Sequence, residues 1–105
     1  MKGYLKVCVH MADKLFPVKN ARVKISRLDG ETKTVVSNLL TDENGYTGEL
    51  SLNIEGCRKK GTKVFDVYYI NVENDGFAAV GEEAEVYSGE VTVHSVELIM
   101  REIAS

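Results

Sequence analysis

Residues 41–54 read TDENGYTGELSLNI, and the two halves of this stretch set the fold class. The first half is turn chemistry. The Asp42 carboxylate can accept hydrogen bonds from nearby backbone amides, and Gly45 tolerates positive φ. The second half alternates, with Leu50, Leu52 and Ile54 on one face and Ser51 and Asn53 on the other. A period of two is the signature of a strand packed on one side. The stretch predicts a tight turn closing a hairpin between a strand at 32–40 and a strand at 46–54.

The same period recurs on both sides of it. At 3–10, GYLKVCVH places Leu5, Val7 and Val9 on one face and Tyr4, Lys6, Cys8 and His10 on the other. At 21–27, ARVKISR turns Ala21, Val23 and Ile25 inward, and Asp29-Gly30 makes a hairpin turn after it. The only proline, Pro17, lies in the intervening segment MADKLFPVKN, which reads as a loop because proline cannot donate to a ladder. Residues 55–63, EGCRKKGTK, read as a polar basic loop. Residues 64–72 form a strand that is apolar on both faces, ended by Asn74-Asp75-Gly76. Strands at 77–87, with an interruption near Gly81, and at 91–100 complete the chain, joined at Ser88-Gly89. Seven short strands separated by turn signals predict an all-β antiparallel sandwich rather than βαβ units.

Composition fits one small folded domain over residues 1–105. Val, Leu, Ile and Phe supply 30 of the 105 residues, enough apolar volume for a packed core. There is no internal repeat, low-complexity tract or linker, and no run approaches the length of a membrane-spanning helix. The opening MKGYLKVCVH lacks the continuous apolar run of a secretory signal. The expected location is the cytoplasm if the chain is complete, and the cell envelope or spore if it is a piece of a longer protein. The net charge of −3 is the wrong sign for general nucleic-acid binding. The charge is divided unequally: residues 1–63 carry 12 Lys/Arg and 7 Asp/Glu, and residues 64–105 carry 1 and 9. Either the halves interleave and neutralise each other across strands, or the surface is bipolar.

In order and spacing these segments resemble the transthyretin-like (prealbumin-like) sandwich of carboxypeptidase regulatory domains and bacterial surface repeats. The stretches that carry the resemblance are GYLKVCVH, FPVKNARVKI, TDENGYTGELSL, YYINVENDGF and VYSGEVTVHSVELIM. TDENGYTGEL together with the ending from Gly76-Phe77 is most similar to the small domain of clostridial spore-cortex-lytic enzymes. The resemblance implies a Greek-key topology and a non-catalytic accessory or interaction module in a bacterial cell-envelope or spore-associated hydrolase system. Its partner would be a protein or a cell-wall polymer, with no nucleic acid and no membrane. The related hydroxyisourate hydrolases end in Tyr-Arg-Gly-Ser, whereas this chain ends REIAS, so that activity is not implied. Some sandwiches of this shape carry a Lys–Asn or Lys–Asp crosslink. Lys6 could supply the amine, but 91–105 holds no Asn or Asp to receive it.

Chemistry-bearing residues are few. Cys8, His10 and His94 lie on the first and last strands, which can be neighbours, so a small hydrolase using these three is the competing class. No carboxylate or oxyanion device accompanies them by motif. Asp42, Glu43 and Asn44 are too few for a calcium loop, and the two histidines and two cysteines lack zinc-ligand spacing. Neither a metal nor another cofactor is expected. Cys8 and Cys57 are read as free thiols. The expected partner surface joins the outward residues of the fifth strand, Phe65, Val67 and Tyr69, to the cations Arg58, Lys59 and Lys60. Apolar residues there are covered by a loop or a second subunit, or they contact a sugar or a protein. Self-assembly through sheet edges is the remaining alternative.

Overall fold

The alternating segments fold into nine strands in two facing sheets, described in a computed structural model over residues 1–13, 15–56 and 58–101. The strands are β1 (Lys2–Met11), β2 (Phe16–Pro17), β3 (Arg22–Asp29), β4 (Thr32–Leu40), β5 (Leu50–Asn53), β6 (Arg58–Lys60), β7 (Lys63–Glu73), β8 (Val80–Tyr87) and β9 (Val91–Leu98). In the first sheet, β1 is central. It pairs with β5 and β2 along one edge and with β9 along the other. In the second sheet the order is β4, β3, β7, β8, and β6 continues the β3 side of β7. No helix among the described residues is long and apolar enough to cross a membrane.

The core is built from the faces the alternation predicts. Leu5, Val7 and Val9 of β1, with Leu52, Ile54, Val96 and Leu98, pack against Val23, Ile25, Tyr68, Ile70, Val72, Ala84 and Val86 of the other sheet. Burying each such side chain contributes about 1.5–3 kcal/mol, so the shared interior holds the two sheets face to face. Thr41 and Thr47, buried at its margin, are satisfied by backbone. The Thr41 hydroxyl accepts from the Ala21 amide at 2.9 Å and donates to the Val18 carbonyl at 2.6 Å. The Thr47 hydroxyl accepts from the Val7 amide at 3.0 Å.

Several expectations are corrected by the pairing. The described residues form nine strands, not seven. The two additions are short edge pieces: β2, where Pro17 is tolerated because its missing N–H faces no ladder, and β6, which turns the basic loop into a hairpin with β7. The sandwich is not wholly antiparallel, since β1 and β9 run parallel from Tyr4↔Val91 to Met11↔Leu98. The Asp42–Gly45 turn forms as the sequence requires, with the Asp42 carboxylate accepting from the Asn44 and Tyr46 amides at 2.9 and 3.0 Å. It does not close a hairpin, however. β4 pairs with β3 and β5 with β1, so this turn carries the chain from one sheet to the other. Ser88-Gly89 likewise passes from β8 in the second sheet to β9 in the first. Gly45 is needed at its position: φ is +80°, and a Cβ there would lie 2.4 Å from the Val9 carbonyl oxygen.

Candidate functional site

The three residues of the competing catalytic reading are not assembled. In a parallel pair, residues in register point the same way. His94 is in register with Val7 and therefore turns toward the opposite sheet, where its Nε2 lies 3.0 Å from Glu82 Oε2 on β8. Cys8 and His10 lie on the opposite, outer face of β1. Among the described residues, no three His, Cys, Asp or Glu side chains converge as a metal-holding group.

Cys8 and His10 line a recess of about 340 Å³ with Val9, Pro17, Asn44, Tyr46 and Ser95. Contact with the Cys8 thiol pushes the Tyr46 hydroxyl above its ordinary range, and the Lys6 ammonium lies 4.6 Å from the centre of the Tyr46 ring. His10 is 7% exposed and, among the described residues, neither ring nitrogen has a hydrogen-bond partner. The expectation for Cys57 lies outside the described residues.

The expected partner surface is spread across two environments. By alternation Phe65, Val67 and Tyr69 face away from the core. Phe65 is nevertheless only 6% exposed, because Tyr87 of β8 packs on it with ring centres 5.0 Å apart. Val67 and Tyr69 are half-buried, and the Lys33 ammonium sits 3.6 Å above the Tyr69 ring. Arg58, Lys59 and Lys60 form β6, exposed throughout. Of these cations Arg58 alone shares a polar recess with Val67, a space of about 350 Å³ that also holds Arg27, Glu55, Asp66 and Glu83. Its floor is rigid. Buried Asp66 accepts from the Glu55 and Gly56 amides at 2.7 and 3.1 Å, and Arg27 pairs with Glu55 at 2.5 Å.

Sequence reading passed over the edge of the second sheet. β4 hydrogen-bonds to β3 alone, leaving its other edge unpaired among the described residues. Val35, Val36 and Leu40 on this strand are 49%, 46% and 61% exposed. A recess of about 260 Å³ crosses the face of the sheet from β4 over β3 to β7, lined by Arg22, Lys24, Asn38, Leu40, Asn71 and Glu73 among others. The available signal was the Val35-Val36 pair, which breaks the alternation. The structure places a bulge there, opposite Ile25 and Ser26.

No protein-family model and no curated protein matches this chain. Solved structures do share its fold. The TIE protein of Bacillus anthracis superposes with a TM-score of 0.62 at 20% identity, over 92% of this chain and 16% of that one. A minor pilin of Streptococcus agalactiae gives 0.65 at 11% identity, over 99% and 47%. An (S)-allantoin synthase gives 0.58 at 13% identity, over 96% and 44%. The chain spans less than half of each of these proteins. The likeness establishes a β-sandwich that occurs both in a minor pilin and in an allantoin synthase, so the fold alone does not assign chemistry.

Proposed function

We propose that residues 1–105 form one non-catalytic interaction domain, and that its binding element is the open edge of β4, which takes an extended segment of a protein partner as an added strand. The observation that carries this reading is a nine-residue strand paired, among the described residues, on one side only, with Val35, Val36 and Leu40 exposed. Such an edge offers a row of unpaired N–H and C=O groups. Proteins ordinarily blunt such rows with proline, charge or a covering segment. β4 has no proline and one charge, Lys33, and its only protective feature is the bulge. Strand addition takes affinity from the backbone and specificity from side-chain pockets, and the recess beside Leu40 supplies such a pocket.

The setting we infer is a transthyretin-like accessory domain of a bacterial cell-envelope or spore-associated hydrolase system. The order of TDENGYTGEL and VYSGEVTVHSVELIM along the chain supports this, as does the likeness to a minor pilin. An anionic wall polymer would meet the second contact area, made by Arg58, Lys59 and Lys60 with Val67 and Tyr69 above the flank of Phe65. An array of nine-residue extended peptides with alternating apolar residues tests the edge. Binding should protect the amides of 32–40 from hydrogen exchange and should be lost in Val36→Lys. Protection elsewhere with 32–40 unchanged would overturn the reading. Co-sedimentation with purified peptidoglycan, wild type against R58E/K59E/K60E, tests the second area.

A further inference from the structure

We propose that the strand received by β4 is β9 of a second copy of this chain, so that copies join head to tail through opposite flanks of the sandwich. This rests on the edge-strand reading and names its occupant. Across the second sheet, the β4 flank carries Lys33 with Lys24 and Arg22 on the adjoining β3, and the β8 flank carries Glu82, Glu83 and Glu85. β9 lies on that same acidic flank, tied to β8 by His94–Glu82 at 3.0 Å and by the Thr92 hydroxyl donating to the Glu85 carbonyl at 3.4 Å. Glu90 precedes β9 and Glu97 lies near its end. Asp29 and Glu31 lie at the β3–β4 turn and Lys63 pairs with Glu90 at 3.0 Å, but cations prevail on the β4 flank and carboxylates on the β8–β9 flank. The unequal charge of the two halves of the sequence survives folding as a polarity across the sheet.

Among the described residues β4 leaves one edge unpaired on the cationic flank, and β8 and β9 each leave one on the acidic flank; of these two, only β9 exposes large apolar side chains. β9 pairs with β1 alone among the described residues, and its Val91 and Val93 are 52% and 55% exposed. The two edges are of matching length, nine residues in β4 and eight in β9. Val35 and Val36 on one and Val91 and Val93 on the other give apolar cross-strand partners. Lys33 on β4, with Lys24 one strand further in, would bring positive charge to Glu90 and Glu97 along the β9 edge, and opposite charges on adjoining strands, like apolar pairs, stabilise them. Pairing β4 with itself would instead bring two cationic flanks together. Because the two surfaces differ, the contact is heterologous and does not close at two copies.

Sedimentation velocity of the full chain over a range of concentration and salt tests this. The wild type should form species larger than a dimer that dissociate as salt rises, since surface charge attraction is screened. K24E/K33E and E90K/E97K, all at surface positions, should each lose association by about tenfold or more. An equimolar mixture of the two should regain it, because reversed β4 then meets reversed β9. Circular dichroism of each variant confirms the fold. A wild type that stays monomeric at all concentrations while still binding the extended peptides at 32–40 overturns the head-to-tail inference alone. A dimer that is unaffected by E90K/E97K and lost in Val36→Lys overturns it likewise. Failure of both the peptides and self-association overturns the edge reading as well.

Discussion

The Tyr69 hydroxyl occupies the space that a side chain at Gly81 would need: a Cβ built on Gly81 would lie 1.8 Å from that oxygen. β7 and β8 pair here, with Asn71 opposite Gly81 and Tyr69 opposite Glu83, and the ring passes diagonally over the glycine. The tyrosine is in turn capped by the Lys33 ammonium from β4, so three strands of the second sheet meet over one residue without a side chain.

Gly81→Ala therefore displaces Tyr69 and should destabilise the protein by about 1 kcal/mol, the low end of the overpacking range, since the atom met is the far end of a side chain. In a Tyr69→Ala background the same change should cost almost nothing, since touching residues are non-additive. Urea unfolding of the four proteins checks this; equal costs in both backgrounds would contradict it.

His10 is buried with both ring nitrogens unpartnered among the described residues, and a buried polar group without a partner costs about 1–3 kcal/mol. Leucine is close in volume and removes the unmet polar atoms. His10→Leu should raise the unfolding free energy by about 1 kcal/mol or more, measured in urea at neutral pH. A loss of stability would show that the imidazole has a partner in solution.

Asp66 holds the Glu55–Gly56 backbone through both carboxylate oxygens, and hydrogen bonds to a charged acceptor contribute about 1.5–3 kcal/mol. Asp66→Ala should cost about 2–4 kcal/mol and release the amides of 55 and 56 to hydrogen exchange. Asp66→Asn keeps one acceptor and should cost less.

Burial pushes the Tyr68 hydroxyl above its ordinary range, and it donates to the Asn53 carbonyl at 2.6 Å. The folded state therefore holds this proton more tightly than the unfolded chain does. The associated stability is fully present below the unfolded tyrosine value near 10 and is lost as pH rises through the higher folded value. Tyr68→Phe removes this contribution. The stability difference between wild type and variant should shrink as pH is raised above about 10, and a difference independent of pH would refute the assignment.

Much of the fold was legible locally. The predicted inward residues of β1, β3 and β7 are the observed core, and Asp29-Gly30 closes the β3–β4 hairpin as expected. The site was less legible. Phe65 reads as an exposed anchor from its alternation, but exposure depends on whether a neighbouring strand brings a large residue over it, and Tyr87 is 22 positions away in sequence. His94 reads as a companion of His10 because both lie on neighbouring strands. Which face each occupies depends on register, and a one-residue shift exchanges every side chain between faces.

From the amino acids alone follow the period of two, the positions of the turns and the division of charge, because each of these depends on a residue and its near neighbours. Which strand lies beside which was decided only in the folded molecule. Backbone hydrogen bonds carry no residue identity, so the parallel union of β1 with β9, the crossing of Asp42–Gly45 and Ser88-Gly89 between sheets, and the open edges at β4 and β9 all follow from how the whole chain buries its apolar faces at once.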